Sequence, residues 1–308
     1  MKIVVTGALG HIGSYVIRDL ARQFPDSEIV MIDNLITQRY SSLFNLPSNG
    51  NYKFIEGDIT KLDLKSLFKN ANVVIHLAAI TDAAGSFERS KEVEANNFQS
   101  TLKVAEACIH SGSRLISPSS TSVYGTQNDV VDENCSEEEL QPQSPYAKTK
   151  LKEEAYIADL VAKKELKAIL CRFGTIFGTS PGMRFHTAVN KFCWQASMGI
   201  PITVWKTAYD QKRPYLDLKD ASRAMTFIIQ NDIFDGEIYN VLTLNSTVRE
   251  VVETIKEFEP SLKVEFVDNQ IMNQLSYEVL CDKFKAKGFV FSGNLKEGIK
   301  DSISLLKN

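Results

Sequence analysis

The sequence predicts an α/β fold in which a doubly wound parallel sheet is joined to a smaller C-terminal α/β lobe. Short apolar runs rich in Val and Ile alternate with helix-length amphipathic stretches through the first half of the chain. A glycine-rich turn connects the first apolar run to the first helical stretch. After Arg172 the alternation weakens, which indicates that a second lobe begins there.

The apolar runs predict six strands joined by helices, without any long structureless linker. Ser144 and Pro145 open the last of these helices, because Ser can cap a helix and Pro suits its first turn. The predicted strands cover residues 2–6, 28–32, 52–56, 73–77, 114–117 and 167–172, and the predicted helices before Ser144 cover residues 13–23, 62–69 and 92–111.

Glycines and a proline near residues 174–182 predict a loop, which opens the second lobe. We expect helices over residues 187–198 and 295–306, and extended chain over 202–218. Asp220 occupies the predicted N-cap of a further helix over 221–229. The resulting domain prediction assigns residues 1–175 to the parallel-sheet domain, with 203–230 returning to it, and residues 176–202 and 231–308 to the second lobe.

Composition is that of an ordinary globular protein, with 308 residues, 44% hydrophobic and 24% charged. The net charge is -3, and the sequence contains no strongly basic segment, so nucleic acid is not an expected partner. No apolar stretch is long enough to span a membrane. The apolar run at the start of the chain is too short for the hydrophobic region of a signal peptide. We therefore expect a soluble cytoplasmic protein. The cysteines lack metal-site spacing, so no metal is expected and most should be buried: Cys108, Cys135, Cys171, Cys193 and Cys281.

The glycine-rich turn predicts a dinucleotide site. Gly7, Gly10 and Gly13 follow a strand directly and open a helix, which can bring backbone amides to a diphosphate. Asp33 ends the next strand, 20 residues after Gly13, where a carboxylate can bind a ribose 2′-hydroxyl. Arg39 could reach a 2′-phosphate, but Asp33 would repel it. NAD is therefore the predicted cofactor, and NADP is the second choice.

A tyrosine and a lysine four residues apart, Tyr146 and Lys150, lie one turn apart on the helix that opens at Ser144. The lysine cation can favour the phenolate, so the pair can move protons near neutral pH. The alternative is an exposed pair on a solvated helical face. The glycine turn favours the catalytic interpretation, because it independently predicts a ligand pocket.

These motifs occur together with Asn97, the run Ser119-Ser120-Thr121-Ser122-Val123-Tyr124-Gly125 and the segment Arg213-Pro214-Tyr215. In this order, over nearly the whole chain, the sequence resembles an extended short-chain dehydrogenase/reductase of the nucleotide-sugar epimerase and dehydratase group. The resemblance implies a Rossmann NAD-binding domain, a substrate-binding second lobe, and a homodimer formed through the helices near residues 92–111 and 145–162.

The resemblance also implies roles for individual residues. Ser120 would bond the reacting sugar oxygen, Tyr146 would be the acid/base, and Lys150 would bind the nicotinamide ribose and lower the tyrosine pKa. Substrate contacts would come from Ser120, Tyr146, Thr175 and Arg213, where Thr175 replaces the family's asparagine. Arg184, Asn190 and Trp205 either cover the nucleotide or pack within the lobe. The implied cofactor contacts are Gly7, Leu9, Gly10, His11, Ile12, Gly13, Asp33, Asn34, Asp58, Ile59, Leu77, Ala78, Ala79, Asn97, Tyr146, Lys150 and Phe173.

Thr121 and Ser122 distinguish between branches of the family. Members that resemble 4,6-dehydratases carry an Asp-Glu pair at these positions, and decarboxylases carry Glu directly before Val-Tyr-Gly. Neither Thr121 nor Ser122 is a carboxylate, so we expect an NAD-dependent epimerase of a nucleoside-diphosphate sugar, acting at C4 through a transient ketone. The alternatives are an NAD(P)H-dependent keto-sugar reductase of the same fold and a catalytically silent dinucleotide-binding regulator.

Overall fold

The structure of the protein, a computed structural model, describes residues 1–81, 90–125, 130–268 and 276–307. The strands in these ranges are β1 (Lys2–Thr6), β2 (Glu28–Asp33), β3 (Asn51–Glu56), β4 (Val73–His76), β5 (Arg114–Ser120), β6 (Val130–Val131), β7 (Ala168–Phe173), β8 (Thr175–Phe177), β9 (Ile202–Trp205), β10 (Lys212–Asp217), β11 (Ile238–Val241), β12 (Leu244–Thr247), β13 (Val264–Val267) and β14 (Glu278–Val279).

The helices alternate with the strands of the first half, as predicted. They are α1 (His11–Gln23), α2 (Leu64–Leu67), α3 (Ser90–Ser111), α4 (Pro145–Ala162), α5 (Ala188–Ser197), α6 (Leu218–Gln230), α7 (Val248–Phe258), α8 (Asp282–Lys285) and α9 (Leu295–Lys307).

A seven-stranded sheet with the order β11-β7-β5-β4-β1-β2-β3 forms the centre of the molecule, and every neighbouring pair in it is parallel. Apolar clusters cover both of its faces. The order reverses beside β1, so the carboxyl ends of β1 and β4 flank the crevice where ligands bind in such sheets. The doubly wound α/β prediction is confirmed.

β11 is the strand of the central sheet that the sequence analysis missed. Its residues, Ile238–Val241, pair with β7 in the central sheet, whereas the domain prediction had assigned residues 231–308 entirely to the second lobe. That assignment is wrong for these four residues. A four-residue strand that includes a polar residue, Asn240, is too short for its periodicity to distinguish a central strand from lobe structure.

The predicted N-cap of α6 is also wrong. The helix begins at Leu218, and the Asp217 carboxylate accepts a hydrogen bond from the Lys219 amide at 2.8 Å. Asp220 lies inside the helix, fully buried, and accepts from the amides of Ser292 and Gly293. Two aspartates three residues apart offer the same capping signal, and the long-range contacts of Asp220 cannot be read from local sequence.

The second lobe contains a three-stranded sheet of β12, β10 and β8, the pair β9 and β13, and an apolar core formed with α5, α7 and α9. The segment 202–218, predicted as extended, is a strand at Ile202–Trp205 and at Lys212–Asp217. A 3₁₀ turn at Lys206–Ala208 and a short turn lie between the strands, and Leu218 already begins α6. Four of the five cysteines are buried, and all five are free. No helix in the described ranges is long and apolar enough to cross a membrane.

The loop before α5 folds back onto the glycine turn. The Gly182 amide donates to the Ser14 hydroxyl at 2.9 Å, and a Cβ on Gly182 would lie 2.4 Å from the Leu9 carbonyl oxygen. The Ser41 hydroxyl donates to the Pro181 carbonyl at 3.0 Å. This close approach fixes the second lobe against the start of α1.

Candidate active site

The turn between β1 and α1 is built so that only glycine fits at two positions. Gly7 has a φ of +65°, and a Cβ there would lie 2.6 Å from the Ala78 amide nitrogen. A Cβ on Gly13 would lie 2.3 Å from the Gly7 carbonyl oxygen. Gly10 is the N-cap of α1 and supplies no side-chain cap, so the amides of the first turn are open to an anion. The turn therefore fits a dinucleotide diphosphate.

Asp33 fastens the end of β2 to this turn. Its Oδ2 accepts from the Leu9 amide and its Oδ1 from the Leu35 amide, both at 2.9 Å. An ionised carboxylate has about four acceptor positions, so two amides leave capacity for a ribose hydroxyl. Arg39 lies close by. Burial lowers the pKa of its guanidinium, and the charge of Asp33 acts in the opposite direction.

Two residues predicted to contact the cofactor use their side chains to support the fold. The His11 ring is buried between the Ser180 hydroxyl, at 3.1 Å from Nδ1, and the Asn190 amide, at 3.5 Å from Nε2. Burial, followed by the charge of Arg184, lowers the pKa of His11 to about 3, so its ring is neutral. Asn97 donates to the Ile80 carbonyl at 2.9 Å and accepts from the Ile80 amide at 2.8 Å. It fixes the loop that follows β4.

Six further predicted cofactor residues follow the carboxyl ends of β2, β3 and β4. Asn34 accepts from the Ile36 amide at 3.2 Å, and Asp58 accepts from the Thr60 amide at 2.9 Å. Burial raises the pKa of Asp58, but the hydrogen bonds from Thr60 outweigh it, so the net pKa is lowered. Ile59 is buried, the Ala78 amide donates to Thr6, and the cavity described below is lined by Ile12, Leu77 and Ala79.

Tyr146 and Lys150 face each other on α4, as predicted. The Ser144 hydroxyl accepts from the Ala147 amide at 3.1 Å, which confirms the predicted cap. The Lys150 Nζ lies 5.9 Å from the centre of the Tyr146 ring. Burial lowers the pKa of Lys150, but the Glu153 carboxylate and Tyr146 outweigh it, and the net pKa is raised. The lysine is therefore a permanent cation beside the phenol.

Ser120, the last residue of β5, lines the same cavity as Tyr146 and Lys150. Its Oγ accepts from the Ser122 amide at 3.2 Å and from the Ser122 hydroxyl at 2.9 Å. With these two hydrogen bonds accepted, the Ser120 hydroxyl can direct its own hydrogen towards a ligand. Sequence reasoning used Ser122 only to exclude a carboxylate and missed its role in orienting Ser120.

One cavity of about 570 Å³ brings the predicted catalytic and substrate residues together. Ser120, Tyr146 and Lys150 line it, as do Phe173, Thr175 and Arg213. Its basic side chains also include Arg184 and Lys191, and Trp205 lies at the same wall. Within the described ranges, no Asp or Glu lines this cavity, and no group of three or more His, Cys, Asp or Glu could hold a metal ion. The cavity therefore suits an anionic ligand.

Tyr277 is a cavity residue that sequence reasoning did not identify. It is buried, its hydroxyl donates to the Thr121 carbonyl at 3.2 Å, and the Arg213 guanidinium lies 5.7 Å from the centre of its ring. Burial lowers the pKa of Arg213, while the nearby tyrosines act in the opposite direction. No motif surrounds Tyr277 in the sequence, so no local signal was available to find it.

Asn190 does not line the cavity, unlike Arg184 and Trp205. Its side chain is fully buried, accepts from the Gly178 amide at 3.1 Å and donates to the Arg184 carbonyl at 3.2 Å. These three residues were expected either to cover the nucleotide or to pack within the lobe. Asn190 packs within the lobe, because it holds the loop that carries Arg184.

A parallel sheet with a glycine turn after its first strand, and with Ser, Tyr and Lys at its carboxyl edge, defines an extended short-chain dehydrogenase/reductase. A sequence model of the NAD dependent epimerase/dehydratase family matches residues 3–241. The chain belongs to this family.

Named relatives agree with this assignment. A trifunctional UDP-glucose 4,6-dehydratase, 3,5-epimerase and reductase of Arabidopsis thaliana is 30% identical over 98% of this chain, which spans only 46% of that protein. The uncharacterized UDP-glucose epimerase YtcB of Bacillus subtilis is 28% identical to this chain. The similarity covers 100% of this chain and 98% of YtcB.

A solved structure has nearly the same fold. The UDP-glucuronic acid 4-epimerase of Bacillus cereus, a variant in complex with UDP-4-deoxy-4-fluoro-glucuronic acid and NAD, is similar with a TM-score of 0.89 and 25% identity. The similarity covers 100% of this chain and 99% of that one. The resemblance stated from the sequence is thereby confirmed.

Proposed function

We propose that the protein is an NAD-dependent epimerase that inverts C4 of a nucleoside-diphosphate sugar through a transient ketone. The observation that supports this most directly is the single cavity in which Ser120, Tyr146 and Lys150 meet several basic side chains and no described carboxylate. Epimerisation of this kind needs one acid/base and a reversible hydride acceptor, but no additional carboxylate.

The glycine turn supports NAD as the cofactor, because Gly7 and Gly13 allow a tight turn in which no other residue fits, and the first turn of α1 carries no side-chain cap. The first-turn amides of α1 would hold the diphosphate, Asp33 the adenosine ribose, and Lys150 the nicotinamide ribose. When bound, NAD accepts a hydride from the sugar and returns it. Asp33 favours NAD over NADP, since a carboxylate repels a 2′-phosphate.

Tyr146 is the group that moves the proton. An unperturbed phenol has a pKa near ~10 and is a weak base at neutral pH. The Lys150 ammonium lies 5.9 Å from the centre of the Tyr146 ring, where it can stabilise the negative oxygen that forms as the phenol gives up its proton. Tyr146 takes the proton of the C4 hydroxyl and later returns it to the same oxygen. Ser120 donates a hydrogen bond to that oxygen, which keeps it in position as the sugar turns over.

The basic side chains of the cavity support a nucleoside diphosphate as the anionic part of the substrate. Arg213 presents a planar guanidinium suited to phosphate oxygens, steadied by a hydrogen bond of 2.8 Å to Gln211. Thr175 offers one hydroxyl to the sugar. UDP-linked sugars in the names of the Bacillus relatives support uridine as the base.

Dehydration, the first activity in the name of the Arabidopsis relative, is not supported by this cavity. Eliminating water from a sugar needs an acid and a base in addition to the tyrosine. The two positions beside Ser120 carry Thr121 and Ser122, and their hydroxyls donate to the Phe173 carbonyl and to Ser120.

The decisive experiment is NMR of a panel of nucleotide sugars incubated with the protein and no added reductant. Interconversion of two C4 stereoisomers establishes the epimerase. Consumption of NADPH against a 4-keto sugar, without such interconversion, supports the reductase instead. A Tyr146→Phe variant should lose about 10³-fold in rate, and full activity of that variant would contradict the assignment of Tyr146.

A homodimer and a cytoplasmic location are parts of the same proposal. α3 and α4 lie side by side, with Phe98 and Tyr156 in edge-to-face contact at 6.1 Å, and such a helix pair can meet its symmetry mate. Free thiols at all five cysteines support a reducing compartment. Size-exclusion chromatography with light scattering measures the oligomeric state directly.

A further inference from the structure

Glu153 lies against the catalytic lysine. Its Oε2 accepts a hydrogen bond from the Lys150 Nζ at 2.8 Å, and the Pro118 carbonyl accepts a second at 3.1 Å. The two side chains are only 8% and 4% exposed. Because an ammonium has three N–H donors, these two acceptors leave Lys150 one donor for the nicotinamide ribose.

Only one of the two Glu153 carboxylate oxygens has a hydrogen-bond partner among the described residues. The other oxygen, Oε1, is buried and has no such partner. Burying a carboxylate in this way is costly unless a cation offsets it. The neighbouring Glu154 is already matched by Arg172 at 2.7 Å, so Lys150 is the cation that balances Glu153.

We propose that Glu153 is a positioning residue for the catalytic pair. Glu153 holds the Lys150 ammonium against the Pro118 carbonyl and partly cancels the electrostatic effect of that ammonium on Tyr146. The inference rests on the proposed acid/base role of Tyr146, but not on the identity of the sugar. A carboxylate at hydrogen-bond distance makes the lysine one end of a dipole, whose field at the phenol is weaker than that of an isolated cation.

Other charged groups near Lys150 act on it less strongly than Glu153: the charge of Glu154 also raises the Lys150 pKa, but it is the smaller contribution. Glu154 and Arg172 form a matched buried pair. His76 reaches the same space from β4, but burial, followed by the charge of Lys150, lowers its pKa to about 3, so it is neutral at pH 7. Glu153 is therefore the main charge that regulates how strongly Lys150 favours the phenolate.

The test measures the ionisation of Tyr146 itself. Tyrosine labelled with ¹³C at the ring Cζ is incorporated into the full chain, the Tyr146 signal is assigned with Tyr146→Phe, and its pKa is titrated with and without NAD. Glu153→Gln keeps the shape of the side chain and removes its charge. We expect the Tyr146 pKa to fall by about one unit in this variant, because the lysine is no longer offset.

Matched controls separate this effect from a general loss of charge. Asp159→Asn removes an exposed carboxylate on the same helix, paired with Lys163, and should leave the Tyr146 pKa unchanged. Glu153→Asp keeps the charge and should stay near the wild-type value. If the Gln variant does not fold, Glu153→Ala provides the same measurement. An unchanged or raised Tyr146 pKa in a folded, uncharged variant overturns the proposal.

The titration needs no substrate, so its result is independent of whether the wild-type protein interconverts sugars. Where it does, the acidic limb of the pH–rate profile should move to lower pH by the same amount in Glu153→Gln. A limb that stays in place overturns the proposal as well.

Discussion

The Ser122 hydroxyl donates to the Ser120 hydroxyl at 2.9 Å, within a 3₁₀ turn that directly follows β5. Ser120 also caps this turn by accepting from the Ser122 amide. The same short segment thus shapes the backbone and sets the direction of the hydrogen that Ser120 can offer.

Removing the Ser122 hydroxyl should weaken catalysis through Ser120. We expect Ser122→Ala to lower kcat about threefold to tenfold, the value of one hydrogen bond, with little change in KM. Ser120→Ala should cost more. If Ser122 acts through Ser120, the double variant will be no slower than Ser120→Ala alone. Additive losses in steady-state kinetics would show that Ser122 acts independently.

Gly13→Ala should weaken cofactor binding by reshaping the turn. The added Cβ would lie 2.3 Å from the Gly7 carbonyl oxygen, so the backbone must move, at a cost of about 1–3 kcal/mol. We expect a lower thermal midpoint and at least about tenfold weaker NAD binding by titration calorimetry.

Gly10→Ala is the comparison for that experiment, because its added Cβ would lie 3.2 Å from the same oxygen. Its thermal midpoint should stay closer to that of the wild-type protein. An equal decrease of the thermal midpoint in the two variants would mean that the distance to the Gly7 carbonyl oxygen does not determine whether the turn accepts a side chain.

The buried pair of Arg172 and Glu154 should be costly to break. The Arg172 Nε donates to Glu154 Oε1 at 3.0 Å, and Nη2 donates to Oε2 at 2.7 Å. Glu154→Ala leaves the guanidinium buried without this partner, so we expect a loss of about 3 kcal/mol in the free energy of unfolding, measured in urea.

Replacing both members, as Glu154→Leu with Arg172→Met, should recover much of that loss, because no unpaired charge remains. Asp159→Ala, which breaks an exposed pair on the same helix, should change stability little. A single variant as stable as the wild-type protein would contradict the proposed cost.

Stability should fall on acidification because two histidines are buried in the neutral form. The pKa of His11 and of His76 is about 3 in the folded protein, against about 6.5 when unfolded. The unfolded chain therefore binds more protons between these values, and the stabilisation present above pH ~6.5 is lost as the pH falls towards 3.

Each histidine should contribute a slope of about 1.4 kcal/mol per pH unit within that window. Urea unfolding at pH 6.5, 5.5 and 5 measures the slope, and His76→Gln, which cannot bind a proton, should reduce it. The same slope in this variant and in the wild-type protein would exclude His76 as a source of the acid sensitivity.

Local sequence was sufficient for the parts of the site that lie within one turn or at the end of one strand. Gly7, Gly13 and Asp33 follow from the order strand, turn and helix, and Tyr146 and Lys150 follow from a spacing of four. Tyr146 and Lys150 line one cavity together with Ile12, on the helix that the glycine turn opens. This proximity was predicted only through the common carboxyl edge of a parallel sheet.

Contacts between distant parts of the chain could not be predicted. Tyr277 bonds Thr121 across 156 residues, and Gly182 bonds Ser14 across 168. The His11 ring lies against the Ser180 hydroxyl, which follows 169 residues later. Such pairs leave no periodic pattern or fixed spacing in the sequence, because a contact between distant residues does not determine which residue types lie next to either partner.

The position of β11 in the central sheet has a consequence for how the chain folds as it is synthesised. β7 lies between β5 and β11, so until residues 238–241 leave the ribosome, β7 exposes an unpaired strand edge. The intervening residues, which include β8 to β10 and α5 to α6, must emerge before the nascent sheet is closed. The dinucleotide-binding half of the protein, although nearly contiguous at the start of the chain, is therefore completed late in translation.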